Sequence, residues 1–164
     1  NGLQSIGSKA FYSCSKLIGN LIIPDNVTFI GSEAFYGCSR FTSLTLGTGI
    51  TTISSGCFYR CLGFSGNLII PDQVTNIEKE AFCYCTGFNG YLTIGNGVKE
   101  IGELAFANGF NRFYAKPLLF TKVYCKAIAP PVILSTTFRG MDCTDKYSYL
   151  GVPVSYTHLT LPTT

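Results

Sequence analysis

The chain repeats itself at a fixed period. Ile6, Ile30, Ile53, Ile77 and Ile101 recur at steps of 24, 23, 24 and 24 residues, and Phe11, Phe35, Phe58, Phe82 and Phe106 keep the same steps. Cys14, Cys38, Cys61 and Cys85 hold a third slot in register, with Gly109 in the fifth place. A small residue precedes each Phe: Ala10, Ala34, Cys57, Ala81 and Ala105. Such self-similarity means that each unit is one supersecondary element that buries its apolar side against copies of itself. Burying about eight apolar side chains per unit gains ~10–15 kcal/mol. Ordering two dozen backbone residues costs about 1–2 kcal/mol each. A single unit therefore cannot fold, and a stack can.

Each unit carries a short alternating segment: Leu21-Ile22-Ile23, Leu44-Thr45-Leu46, Leu68-Ile69-Ile70 and Leu92-Thr93-Ile94. Alternation is the strand period, so the middle residue points away from its neighbours. Turn residues follow, either Pro24-Asp25-Asn26 and Pro71-Asp72-Gln73 or Gly47-Thr48-Gly49 and Gly95-Asn96-Gly97. Proline presets φ and glycine permits positive φ. The proline turns lie 47 residues apart, as a two-repeat duplication would leave them. Ser8, Ser32 and Ser55 are placed to cap a brief helical turn through the small residue-Phe pair. The second unit is one residue short between Phe41 and Leu44, where the others carry Gly19, Gly66 or Gly90.

The segment Phe41-x-x-Leu44-x-Leu46 matches the strand portion of a leucine-rich repeat, whose periods run about 20–29 residues. The unit continues Val27-Thr28-Phe29-Ile30-Gly31-Ser32-Glu33-Ala34-Phe35-Tyr36-Gly37-Cys38-Ser39. That closely resembles the BspA-type leucine-rich repeats of bacterial and some protist surface proteins, over residues 3 to 108. The resemblance implies a mainly β solenoid of about five 23–24-residue repeats with short helical turns, plus a C-terminal closing unit. The array is expected over 1–126, with an insertion at about 110–118, because Phe106 to Phe120 spans 14 residues where Phe35 to Phe41 spans 6. Phe120 to Ala127, Pro130-Pro131, Phe138 and Cys143 look like the closing unit, placed at 127–153. Residues 154–164 read as a non-native tail resembling translated vector sequence. The chain begins at Asn1 and reads as a fragment.

Composition narrows the function. Hydrophobic residues make up 46% and charged ones 13%, about half the usual share, with a net charge of +3. This is too apolar for disorder and too weakly basic for a dedicated nucleic-acid binder. No apolar run approaches the roughly 18 residues of a membrane span, so no membrane insertion is expected. The single histidine, His158, lies in the tail, leaving the serines without a catalytic partner. Glu78, Glu80, Glu100 and Glu103 read as a solvated edge, not a glycosidase pair. Five basic residues and no acids lie between Leu104 and Gly140 (Arg112, Lys116, Lys122, Lys126, Arg139), a solubilising set with modest affinity for anionic polymers at most.

Cys14, Cys38, Cys61 and Cys85 read as a ladder of small buried hydrophobes, with Phe11, Phe35, Phe58, Phe82 and Phe106 as a parallel structural column. The spacings of Cys57, Cys61, Cys83 and Cys85 match zinc knuckles poorly, so no metal or cofactor is expected. Cys125 and Cys143 could form one bridge in an oxidising compartment. Two surfaces are candidates for binding. One is the outward strand face, comprising Asn20, Ile22, Ser43, Thr45, Asn67, Ile69, Tyr91 and Thr93 and continuing to Lys122 and Tyr124. The other is a column of Tyr12, Tyr36 and Tyr59, which either shields the turns between repeats or offers a contact surface. The resemblance implies a non-enzymatic, extracellular or cell-surface module that adheres to a protein or glycan ligand on host matrix, host cells or other microbes. A structural spacer and a targeting arm of a larger secreted protein are the alternatives.

Overall fold

A computed structural model describes residues 2–108, 120–127 and 129–139. The insertion at 110–118, Cys143 and the tail at 154–164 lie outside them. Each repeat contributes two short strands. The first surrounds the repeating isoleucine: β1 (Ser5–Ile6), β3 (Phe29–Ile30), β5 (Thr52–Ile53), β7 (Asn76–Ile77), β9 (Glu100–Ile101) and β11 (Val132–Ile133). The second is the alternating segment: β2 (Gly19–Ile22), β4 (Phe41–Thr45), β6 (Leu68–Ile69), β8 (Tyr91–Ile94) and β10 (Lys122–Cys125). Every pairing is parallel and joins equivalent residues one repeat apart, such as Ile6 with Ile30 and Leu21 with Leu44. The isoleucine rows continue through Ile53, Ile77, Ile101 and Ile133. Val132–Ile133 therefore supplies a sixth rung.

The core lies between the two strand rows and is filled by aromatic columns. Phe11, Phe35, Phe58, Phe82, Phe106 and Phe138 stack near-parallel with successive centroids 5.1, 5.6, 5.3, 5.4 and 5.4 Å apart. A second column, not expected from the sequence, runs through Phe41, Phe64, Phe88 and Phe120 at 6.5, 5.5 and 5.5 Å. The two meet edge-on, Phe58 against Phe64 at 6.2 Å. Phe11 departs from the expected buried column. It stacks on Phe35 but is 39% exposed, because no described residue covers its other face. Cys14 is half-buried for the same reason, whereas Cys38, Cys61 and Cys85 are buried.

The expected helical turns are absent; no helix occurs among the described residues. The segments carrying the small residue-Phe pair are instead chains of tight turns in which successive N–H groups alternate in direction. The Ala10, Tyr12 and Cys14 N–H groups donate three residues back, to the Gly7, Lys9 and Phe11 carbonyls. The Lys9, Phe11 and Ser13 N–H groups donate across to the Ser32, Ala34 and Tyr36 carbonyls of the next repeat. This alternation needs left-handed residues at two slots. One holds Lys9, Glu33, Gly56, Glu80 and Leu104, and the other Ser13, Gly37, Arg60 and Tyr84, all with φ between 56° and 70°. A run of right-handed helix cannot include them. Ser55 does not cap a helix either: its N–H donates to Glu78 Oε2 at 2.8 Å and its hydroxyl to the Lys79 carbonyl, both in the next repeat. The Ser32 carbonyl accepts from Lys9, and Ser8 packs against Gly31.

The proline and glycine turns alternate for a reason other than φ. None of Gly47, Gly49, Gly95 and Gly97 has positive φ. Each lies directly on the turn of the preceding repeat, where a Cβ would strike the carbonyls of Pro24, Asp25, Pro71 and Asp72 respectively. The aspartate of each proline turn locks the glycine turn above it. Asp25 Oδ1 accepts from the Thr48 N–H (2.8 Å) and hydroxyl (3.1 Å), and Asp72 Oδ1 accepts from the Asn96 N–H (3.0 Å).

The stack has one seam. One strand row splits into β1-β3 and β5-β7-β9-β11, and the other into β2-β4 and β6-β8-β10. Both breaks fall between the second and third repeats, where the period shortens to 23. Lacking the residue that the other repeats place at a Gly turn, β4 begins at Phe41 itself and runs for five residues, whereas β6 starts after a positive-φ turn at Gly66. Toward β2 the mismatch is absorbed by a bulge at Gly19/Asn20. Toward β6 the ladder is lost, and the repeats are held by the turn-side bonds, such as Phe35 N–H to the Cys57 carbonyl (2.9 Å), and by Ser65 N–H to the Thr42 carbonyl (2.9 Å).

Candidate functional site

The strand face is built from two rows in register. Asn20 pairs with Ser43 and Tyr91 with Lys122. Ile22 pairs with Thr45, Ile69 with Thr93, and Thr93 with Tyr124. Asn20, Ile22, Thr45, Asn67, Ile69, Tyr91 and Lys122 are exposed, while Ser43, Thr93 and Tyr124 are half-buried. Ile22 (63%) and Ile69 (56%) stand out as large apolar side chains left in water. Tyr124 leans on Tyr91, centroids 5.7 Å apart in an edge geometry. Lys122 is the sole charge among these ten positions.

A cleft of about 550 Å³ opens on this face at the seam. Thr45 and Thr48 line one side, Asn67, Ile69, Pro71, Asp72 and Gln73 the other, and the buried Leu44, Leu46 and Ile70 lie beneath. Lys126 reaches the rim from beyond β10, its Nζ 3.8 Å from Asp72 Oδ1. This contact joins residues 54 positions apart, so no local reading of the sequence finds it. Of the expected face residues, the structure brings Thr45, Asn67 and Ile69 into the cleft and leaves Ile22, Tyr91 and Lys122 outside its lining.

The tyrosine column exists and is longer than expected. Tyr12 stacks on Tyr36 at 4.6 Å and Tyr36 on Tyr59 at 4.8 Å. Cys83 takes the next slot, and Tyr84 reaches over from the adjacent position to meet Tyr59 edge-on at 5.4 Å. Lys9 and Arg60 lie over Tyr12 and Tyr84 at 5.6 and 5.9 Å. Burial, and then the neighbouring Cys83 and Tyr84, push the Tyr59 hydroxyl up to about 12.

The cysteine ladder also makes specific polar contacts. The thiols of Cys38, Cys61 and Cys85 donate to the Phe11, Phe35 and Phe58 carbonyls of the preceding repeat at 3.0, 3.1 and 3.0 Å. Burial holds all three protonated, raising Cys38 to about 11 and the other two further. Among the described residues, no cluster of His, Cys, Asp or Glu is arranged to hold a metal ion. Glu78 and Glu103 are spent on contacts between repeats, Glu103 with Lys79 at 2.8 Å. No helix of the described residues is long and apolar enough to cross a membrane.

Parallel strands in register, a unit of 23–24 residues and a repeating aliphatic-aromatic core define a leucine-rich-repeat protein. A family model for the BspA type leucine rich repeat region matches residues 1–113 in six copies, and the chain belongs to that family. Among solved structures it is similar to a leucine rich cell surface protein from Faecalibacterium prausnitzii, with 32% identity and a TM-score of 0.61 over 79% of this chain. The match spans 31% of that protein's chain. No curated protein matches.

Proposed function

We propose that this segment is a non-enzymatic adhesion module of a larger secreted, cell-surface bacterial protein, its repeats wound as a solenoid over residues 1–126 and closed by 127–153. The observation that supports this reading is the strand face. Two rows in register present exposed isoleucine and tyrosine beside uncharged polar residues, and a single charge enters at Lys122. Such a rigid, extended, sparsely charged surface suits protein contact over a large area. Its partners would be host matrix proteins, host cells or other microbes, through a protein or glycan ligand; the reading includes neither nucleic acid nor insertion into a membrane.

The test is a double variant, Ile22→Asp with Tyr91→Asp, both outside the cleft and both exposed. Beads carrying the wild-type chain should adhere to immobilised matrix protein or to epithelial cells. The variant should lose about tenfold or more in retention, with an unchanged circular dichroism spectrum. Equal adhesion by both chains would instead assign the segment to a spacer role.

A further inference from the structure

We propose that the cleft at the seam is a subsite for an uncharged saccharide. The proposal rests on reading the strand face as the contact surface and names what one part of it takes. Its first support is position. Both strand rows lose their ladder between the same two repeats, and the cleft opens there, beside the one-residue deletion before Leu44 in β4. Its volume of about 550 Å³ lies within the roughly 300–1,000 Å³ of small-ligand sites.

The second support is the chemistry of the walls. Ile69 and Pro71 provide an apolar wall above the buried Leu44, Leu46 and Ile70. Around it stand groups with hydrogen-bonding capacity to spare. Asn67 Oδ1 accepts from the Tyr91 N–H (3.0 Å), and no described residue engages its two amide donors. Asp72 uses Oδ1 for Asn96 and Lys126, and no described residue engages its Oδ2. The Gln73 amide is likewise unengaged among the described residues, and Lys126 has donors beyond its contact at 3.8 Å. Donors and acceptors thus alternate around the rim, as a ligand whose hydroxyls both donate and accept requires.

Charge decides between ligand classes. Asp72 and Lys126 are the only ionisable groups in the lining, and they neutralise one another. The pair leaves the rim with no net charge to draw an anion or a cation, and a neutral polyol can bond to Asp72 Oδ2 and to the spare Lys126 donors together. A peptide would need a strand edge with room beside it or a deep apolar pocket for an anchoring side chain. The Ser65 N–H to Thr42 carbonyl bond still holds β4 against β6, so no strand can be added between them. The cleft offers amides, hydroxyls and an ion pair beside an apolar wall, which fits the C–H face and hydroxyl rim of a sugar ring.

The experiment is a titration of the 15N-labelled chain with maltose, cellobiose and N,N′-diacetylchitobiose, with glycerol and a short uncharged peptide as controls. At least one sugar should give saturable amide shifts at Thr45, Thr48, Asn67, Ile69, Asp72 and Gln73. Gln73→Ala and Ile69→Asp should each weaken it about tenfold, and Lys16→Ala, outside both the cleft and the strand face, should leave it unchanged. Three outcomes overturn the proposal: no saturable shift with any sugar, shifts that fall on the tyrosine column, or cleft shifts produced by the peptide alone. Sugars that fail while the Ile22/Tyr91 variant still loses adhesion would refute the saccharide subsite and leave the adhesive face standing. Sugars that bind while that variant adheres normally would do the reverse.

Discussion

Replacing Glu80 by glycine and by alanine separates the observed turn chain from the helical turn that the sequence suggests, because the two structures predict opposite signs. Glu80 sits in a left-handed slot at φ 57°, its N–H donating to the Glu103 carbonyl of the next repeat at 2.9 Å. A residue with a Cβ pays about 1–2 kcal/mol to hold that conformation. Glycine avoids this cost and loses about 0.5–1 kcal/mol through its more flexible unfolded chain. Glu80→Gly should therefore be more stable than Glu80→Ala by about 0.5–1 kcal/mol. In a helical turn, glycine would instead be the less stable by about 0.8–1 kcal/mol. Glu80 makes no ion pair at salt-bridge distance, so both variants lose the same side-chain contacts. Urea unfolding followed by circular dichroism measures the difference as a shift in midpoint at constant slope. An alanine variant more stable than the glycine variant would refute the left-handed assignment and the alternating hydrogen bonds that depend on it.

Three further outcomes follow from the stack. Alkylation at about pH 8.5, where a free thiol is half ionised, should label Cys14 first and leave Cys57, Cys61 and Cys85 unmodified until the chain is denatured. Rapid native labelling of Cys61 or Cys85 would contradict the ladder. The sign of the pH effect is fixed too. These thiols are raised by burial in the folded state, so unfolded thiols ionise first. Stability should be full below the ordinary thiol range and fall as pH climbs from there toward the value of about 11 at Cys38. Hydrogen exchange should show the first two repeats opening as a unit at lower free energy than the remaining four. Uniform protection across residues 41–70 would mean that the seam is no mechanical boundary.

The features legible in the sequence share one property: they are set by side chains that recur. The isoleucine rows, the first phenylalanine column and the register of the outward strand residues follow from a period and an alternation, and the stack repeats both faithfully. The second aromatic column was legible by the same arithmetic, since Phe41, Phe64 and Phe88 keep the steps of 23 and 24. Illegible were the features set by the backbone. The left-handed slots are filled mostly by Lys, Ser, Glu, Arg, Tyr and Leu, with only Gly37 and Gly56 advertising the conformation. Residues with a Cβ are held there because their N–H groups bond to the next repeat, a tertiary cause that leaves no local signal. The glycine turns mislead in the other direction. They look like a demand for positive φ and are a demand for space against the carbonyls beneath. The deletion at Phe41 shows how the two levels meet. As text it is one absent residue, but in the stack the strand that lacks it carries a bulge, both ladders break at the same level and the cleft opens beside it. An irregularity in a repeat is thus a more specific pointer to a site than the repeat itself. The periodic positions are bound by the need to match their neighbours, and this one is not.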